Sequence, residues 1–161
     1  MKKAIVSILI GLGCLLVLFG GFVAYAIYKS KSVNQVVATD VLVSSEWTEI
    51  TPSSSMKVNR QIQSVVFIID SYRHNVYDKI WQIKLPDGTV VKPEVQIFDE
   101  YGNVYDLHDG GRSNNDINFK PENDTERYTT FPEDRNYTKI RIRSDKPFQV
   151  SKVIWRNRNL K

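Results

Sequence analysis

Hydrophobic and polar positions along this chain follow two rules. From Ala4 to Tyr28 (AIVSILIGLGCLLVLFGGFVAYAIY) apolar and small residues run on with no Asp, Glu, Lys or Arg among them. Twenty-five such residues in helical form reach about 37 Å, enough to cross the hydrocarbon of a bilayer with some tilt. From Val33 onward the period drops to two, the signature of strands. Val33–Val43 is Val-rich and predicts a strand, Glu46–Ile50 a short second one. Ile62–Ile69 (IQSVVFII) ends in five consecutive apolar residues, which predicts a strand covered on both faces. Trp81, Ile83 and Leu85 alternate with Gln82 and Lys84, and Pro86-Asp87-Gly88 carries the chemistry of a tight reversal. Thr89–Lys92 returns, Pro93 marks an edge or bulge, and Val95, Ile97 and Phe98 resume the strand. Asp99–Asn103 turns again into Val104–Leu107, and His108–Asp116 (HDGGRSNND) reads as a long irregular loop. Ile117 and Phe119, Tyr128–Phe131, Thr138–Ser144 and Phe148–Trp155 supply the remaining strands. Eight to ten strands punctuated by turns, with no amphipathic helix, predict an all-β antiparallel sandwich or barrel behind one transmembrane helix.

The domain plan that follows is a cytoplasmic tail at 1–3, a signal anchor at 4–28, a juxtamembrane segment with the first strands at 29–56, and a sheet domain at 57–161. Ala24-Tyr25-Ala26 has the small-x-small form of a signal-peptidase exit, so cleavage after Ala26 and secretion is the alternative. Lys2 and Lys3 before the run nearly balance Lys29 and Lys31 after it. The free amine tips the N-terminus toward the cytoplasm and places the domain outside the cell. Ser7, Gly11 and Cys14 form a small-residue stripe at helical spacing on which another helix could pack. Cys14 itself reads as a small apolar packing residue.

Charge changes the picture once the chain is divided. The formal net charge is +4, with 22 Lys and Arg against 18 Asp and Glu. The four lysines flanking the apolar run account for all of it, which removes the case for nucleic acid. Within the neutral remainder the signs segregate: Glu94–Asp134 is acidic and Lys139–Lys161 basic. The lone cysteine lies in the apolar run, so the domain depends on its core rather than on disulfides, which fits a bacterial envelope better than a small animal ectodomain.

The phrases PEVQIFDEYGNVYDL and YTKIRIRSDKPFQVSKVIW resemble those of bacterial envelope β-sandwich domains of immunoglobulin-like or galactose-binding-like (jelly-roll) architecture, over residues 60–156. The resemblance implies fold more than function. It suggests a carbohydrate or other envelope ligand without mapping any ligand-binding residue.

Candidate chemistry is sparse. His74 and His108 stand apart and lack zinc spacing, no Gly-x-Ser-x-Gly elbow occurs, and no cofactor is implied. Lys139, Arg141 and Arg143 fall on one face of a strand about 7 Å apart. They form a basic ladder for phosphates or carboxylates, unless acids on the adjoining strand pair with it. Lys152, Arg156 and Arg158 could extend it. Tyr101 and Tyr105, like Tyr72 and Tyr77, lie in or beside loops where a ring could stack on a ligand, whereas Trp81 and Trp155 read as core. Asp99, Asp106, Asp109 and Asp116, with Glu100 and Asn115, are weak calcium candidates without EF-hand spacing. Asn123-Asp-Thr125 and Asn136-Tyr-Thr138 are sequons of the kind chance supplies. The expected function is a membrane-anchored, extracytoplasmic, non-enzymatic binding module for a carbohydrate or anionic envelope polymer or a membrane-protein partner. The alternative is an envelope carbohydrate-active enzyme built on loop acids.

Overall fold

The computed structural model describes residues 13, 16–25, 33–59, 61–70, 72, 82–113, 115–121 and 131–158. Two units separate, residues 1–31 with 159–161, and residues 32–158. In the first, residues 16–25 are helical and Leu16, Val17, Leu18, Phe19 and Phe22 are each exposed. Among the described residues no helix is long and apolar enough to cross a membrane. Most of the rest of the predicted span, the Ala26 exit and Cys14 lie outside the described residues, as do His74, Tyr77, Trp81, Asn123 and Tyr128–Thr130.

The second unit is all β. Its strands are β1 (Val33–Val43), β2 (Thr48–Ile50), β3 (Met56–Lys57), β4 (Ile62–Ile68), β5 (Ile83–Lys84), β6 (Val90–Val91), β7 (Pro93–Asp99), β8 (Val104–Ser113), β9 (Asp116–Pro121), β10 (Asn136–Ser144) and β11 (Phe148–Arg158). Nine of them form one antiparallel sheet in the order β1-β11-β4-β9-β8-β7-β10-β2, with β3 also on β10, while β5 and β6 pair separately. Its two end strands, β1 and β2, are consecutive in the chain, so the sheet curls until it is nearly closed. Hydrogen bonds span the seam. The Ser144 amide donates to Ser44 O at 2.7 Å, Thr48 Oγ1 to Leu42 O at 3.2 Å, and Gln35 Nε2 to Ser54 O at 2.8 Å. Covering the ends in this way limits the exposed edge that an open sheet would leave.

The inner face is filled by alternation. Val95 and Ile97 of β7, Ile140 and Ile142 of β10, and Val153 and Trp155 of β11 are buried. Trp155 meets Phe131 at 5.0 Å and Tyr137 at 5.7 Å between ring centroids, although β10 and β11 are far apart in the sheet order. These rings therefore face each other across the core. The Trp155 indole N–H is satisfied by Lys57 O at 2.9 Å. β4 is buried along Ile62–Phe67 irrespective of parity, as the apolar run from Val65 predicts for its second half, and the polar Gln63 and Ser64 ahead of that run are buried as well.

The turns use the expected chemistry. Gly88 and Gly102 hold φ of +86° and +83°, and the Gly88 and Gly102 amides close their turns onto Leu85 O and Asp99 O. The predicted loop His108–Asp116 is instead the second half of β8 and the start of β9. A register shift between Asp109 and Gly111 keeps the ladder going, with Gly111 at φ +120°. Gly110 lies so close to Lys120 that a Cβ there would come within 2.7 Å of its side chain. Two glycines that look like loop residues therefore serve a bulge.

Candidate functional site

β10 carries its three cations outward because Ile140 and Ile142 take the core side. The partners of those cations come from both neighbouring strands. Arg141 lies in register with Glu49 of β2 and Gln96 of β7, Gln96 with Asp106 of β8, Arg143 with Glu94 and Lys139 with Phe98. The contacts follow the register except that of Lys139, which reaches diagonally to Glu49. Arg143 donates through Nε and Nη2 to one oxygen of Glu94 at 3.0 and 2.7 Å, and Lys139 reaches Glu49 at 3.2 Å. Arg141 Nε donates to Gln96 Oε1, whose amide nitrogen donates to Asp106 at 2.6 Å.

Aromatic rings complete the face. The Arg141 and Arg143 guanidinium carbons each stand 4.5 Å from the Trp47 ring centroid. Arg141 also stands 5.1 Å, and the Lys139 ammonium 4.4 Å, from that of Phe98. The five side chains thus alternate as Lys139, Phe98, Arg141, Trp47, Arg143. Each ring's negative face lies against cationic groups, an attraction of about 0.5–1 kcal/mol per exposed contact. Two of the ladder's cations, Lys139 and Arg143, are therefore paired with acids, Arg141 is held by an amide, and the rings order the row. At its Arg143 end opens a groove of about 520 Å³ lined by Ser45, Lys92, Pro93, Glu94, Arg143, Ser144 and Asp145. Asp145 is oriented there by the Lys92 amide at 2.7 Å and the Ser144 hydroxyl at 3.2 Å.

The other predicted site residues lie elsewhere. Tyr101 is 72 % exposed at the tip of the β7–β8 turn, with the Arg135 guanidinium 5.3 Å from its ring centre. Tyr105 is half-buried, its ring edge-on to Tyr137 at 5.8 Å and its hydroxyl donating to Asp99 at 3.2 Å. Asp99 is itself buried. One of its oxygens takes the amides of Tyr101 and Asn103 at 3.0 and 2.8 Å. The other takes the Asn103 side chain at 2.7 Å and Arg135 at 2.7 Å. Burial pushes its carboxyl up, but the bonds from Asn103, Arg135 and Tyr101 outweigh it and hold the group well below the usual carboxylate range.

The remaining calcium candidates are also engaged. Asp109 forms an ion pair with Arg112 at 2.6 Å, both side chains less than a tenth exposed. The pair faces inward because Asp109 and Arg112 are in register with the buried Phe119 and Ile117. It borders a cavity of about 10 Å³, room for one water at most. Asp106 accepts from Gln96, and Asp116 pairs with Arg156 at 2.7 Å. Among the described residues no three His, Cys, Asp or Glu side chains come together as a metal site. His108 lies on β8 opposite Lys120.

The site residues that sequence reasoning misses are Trp47, Glu49, Glu94, Gln96, Lys92 and Asp145. Phe98 had a local signal, because alternation from Val95 and Ile97 puts it on the outer face with the ladder. Comparison with known proteins found no matching family model, curated protein or solved structure.

Proposed function

We propose that this chain is a single-pass, membrane-anchored binding module with its sheet domain outside the cell, and that the outer face of β10 with its adjoining groove is the recognition surface. The observation that carries the reading is the ordered row Lys139, Phe98, Arg141, Trp47, Arg143 running into a groove large enough for a ligand. Trp and Arg are the side chains on which binding energy concentrates at protein interfaces, because they bring large area with little flexibility. The acids paired with the ladder make a phosphate polymer a poor match. A groove with two cations, Lys92 and Arg143, two carboxylates, Glu94 and Asp145, and two serine hydroxyls suits a mixed-charge polar surface, such as a segment of a neighbouring membrane or envelope protein.

The anchor reading is supported by the 25-residue apolar run and by exposed Leu, Val and Phe on the helical residues 16–25. For the architecture, we infer a folded-over β-sandwich with halves β1-β11-β4-β9 and β8-β7-β10-β2. Rings from β10 and β11 meeting across the core support it.

The test is photocrosslinking in intact cells from a reactive residue at position 92, on the lip of the groove, with a matched placement at position 152 on β11. A discrete adduct is expected from 92 alone, lost in Trp47→Leu and Arg143→Met variants whose circular dichroism is unchanged. Identical adducts from both positions, or adducts indifferent to both substitutions, would remove this face as the recognition surface.

A further inference from the structure

The groove at the Arg143 end of the ladder is built on two rungs of charge. β7 and β10 pair Glu94 with Arg143 and Pro93 with Ser144, and one step farther the Lys92 amide donates to Asp145 Oδ1 at 2.7 Å. Side chains alternate along a strand. Ser144 turns inward and is buried, so Glu94 and Arg143 share the outer face with Lys92 and Asp145, the two rungs about 7 Å apart. All four residues line the groove. The signs cross over between rungs: Lys92 then Glu94 on the β7 side, Asp145 then Arg143 on the β10 side.

One rung is closed and the other open. Arg143 donates through Nε and Nη2 to Glu94 Oε2, and its guanidinium lies on Trp47. Asp145 Oδ1 instead accepts from the Lys92 amide and from the Ser144 hydroxyl at 3.2 Å. Those bonds orient its carboxylate without neutralising it. Among the described residues neither Asp145 nor the Lys92 ammonium has an ion-pair partner, and both residues are exposed. Asp145 Oδ2 and Lys92 Nζ are thus available side by side, one acceptor and one donor of opposite charge.

Such a rung selects by charge pattern. A polyanion that gains at Lys92 is repelled at Asp145 one strand spacing away, about 4.8 Å, and a polycation meets the reverse. A ligand with one acid and one base on the same side satisfies both. In an extended peptide, side chains two residues apart share a side and stand about 7 Å apart, a difference that the flexible Lys92 stem takes up. The exposed chain neighbours of the groove, Glu46 and Lys146, carry one charge of each sign and leave the balance unchanged.

We infer that the groove takes an extended peptide segment bearing an acidic and a basic side chain two residues apart, the acid on Lys92 and the base on Asp145. This deepens the recognition reading above and rests on it. The Arg143–Glu94 rung stays closed as the wall behind the segment, and the row through Trp47 offers contact area beyond the groove.

The probe is an acetylated, amidated pentapeptide with lysine and glutamate at its second and fourth positions, in both orders, and threonine elsewhere. It is titrated into the full chain in detergent micelles and followed by the amide NMR shifts of Lys92, Arg143 and Asp145, with companion peptides carrying two glutamates or two lysines. Saturable shifts are expected from a mixed peptide, with the like-charged peptides about fivefold or more weaker. Asp145→Asn and Lys92→Met should each weaken the mixed peptide about two- to fivefold, and Lys146→Met should leave it unchanged. Equal affinity for a like-charged peptide, no saturable shift from any of them, or indifference to both groove substitutions overturns the inference. The photoadduct from position 92 keeps the two readings apart, because a whole partner also meets the Trp47–Arg143 row and is still found once the Lys92 ammonium is replaced. An adduct that persists beside a failed titration leaves the recognition face standing and this inference refuted; absence of the adduct removes both.

Discussion

Replacing Trp47 with Leu removes the ring that two arginines share and keeps an apolar side chain in its place. Each guanidinium carbon stands 4.5 Å from the ring centre. At about 0.5–1 kcal/mol per contact the substitution costs about 1–2 kcal/mol. For a sheet of this size that corresponds to a fall in Tm of about 4–8 °C. The cost should be shared with the cations rather than belong to Trp47 alone. Arg143→Met keeps most of the stem and removes the charge, so a double-mutant cycle isolates the contact. Urea denaturation of the full chain in mild detergent, followed by circular dichroism, should give a coupling of about 0.5–1 kcal/mol between Trp47→Leu and Arg143→Met. The same cycle against Lys152→Met, on β11, should be additive within about 0.3 kcal/mol. Additivity in the Arg143 cycle would refute the stack as an energetic unit, and the face would then have no fixed shape to offer a partner.

Three further outcomes follow from the core and the β7–β8 turn. Trp155→Ala opens a cavity beside Phe131 and Tyr137 and orphans Lys57 O; it should cost about 3–5 kcal/mol in urea denaturation, and a loss below about 1 kcal/mol would mean that the aromatic centre is not the core. Asp99 has its pKa held below the ordinary value, so its contribution is present above the unfolded carboxylate range and is lost as pH falls through the folded value. Tm measured from neutral pH downward should drop in the wild type and stay flatter in Asp99→Asn; parallel curves would contradict the network. Burial, aided by Tyr105 and Asp99, raises the phenol pKa of Tyr137, so its neutral form stabilises the fold below the unfolded value near pH 10 and that stability is lost as pH rises beyond it. Tyr137→Phe should weaken the alkaline fall in Tm, and an unchanged alkaline limb would show that the ring is not buried.

Much of the fold is legible in the residues, and the gaps have local causes. β1 coincides with its Val-rich stretch, and β4's run of apolar residues announces burial on both faces. Along β10, Ile140 and Ile142 fix the inner face and thereby send Lys139, Arg141 and Arg143 outward. β8 is longer than expected because Gly110 and Gly111 are as suitable for a bulge as for a loop, and only pairing with β9 decides between them. Asp99 and Asp109 look like loop acids free to hold a cation, yet their arginines, Arg135 and Arg112, turn both into ion pairs. For Arg135 the separation of 36 residues leaves no local trace. Trp47 gave least warning: a single aromatic in a corner acquires its meaning from β2 lying against β10, a topological fact that no window of sequence contains.

The central claim is a recognition face held outside the cell by a membrane anchor. It is tested most directly with a single reactive cysteine at Lys146, beside the groove, in a Cys14→Ser background, treated with a membrane-impermeant maleimide in intact cells. Labelling of intact cells as complete as that of lysed cells, on a protein that stays with the membrane fraction, is the predicted result. Labelling only after lysis would contradict the account.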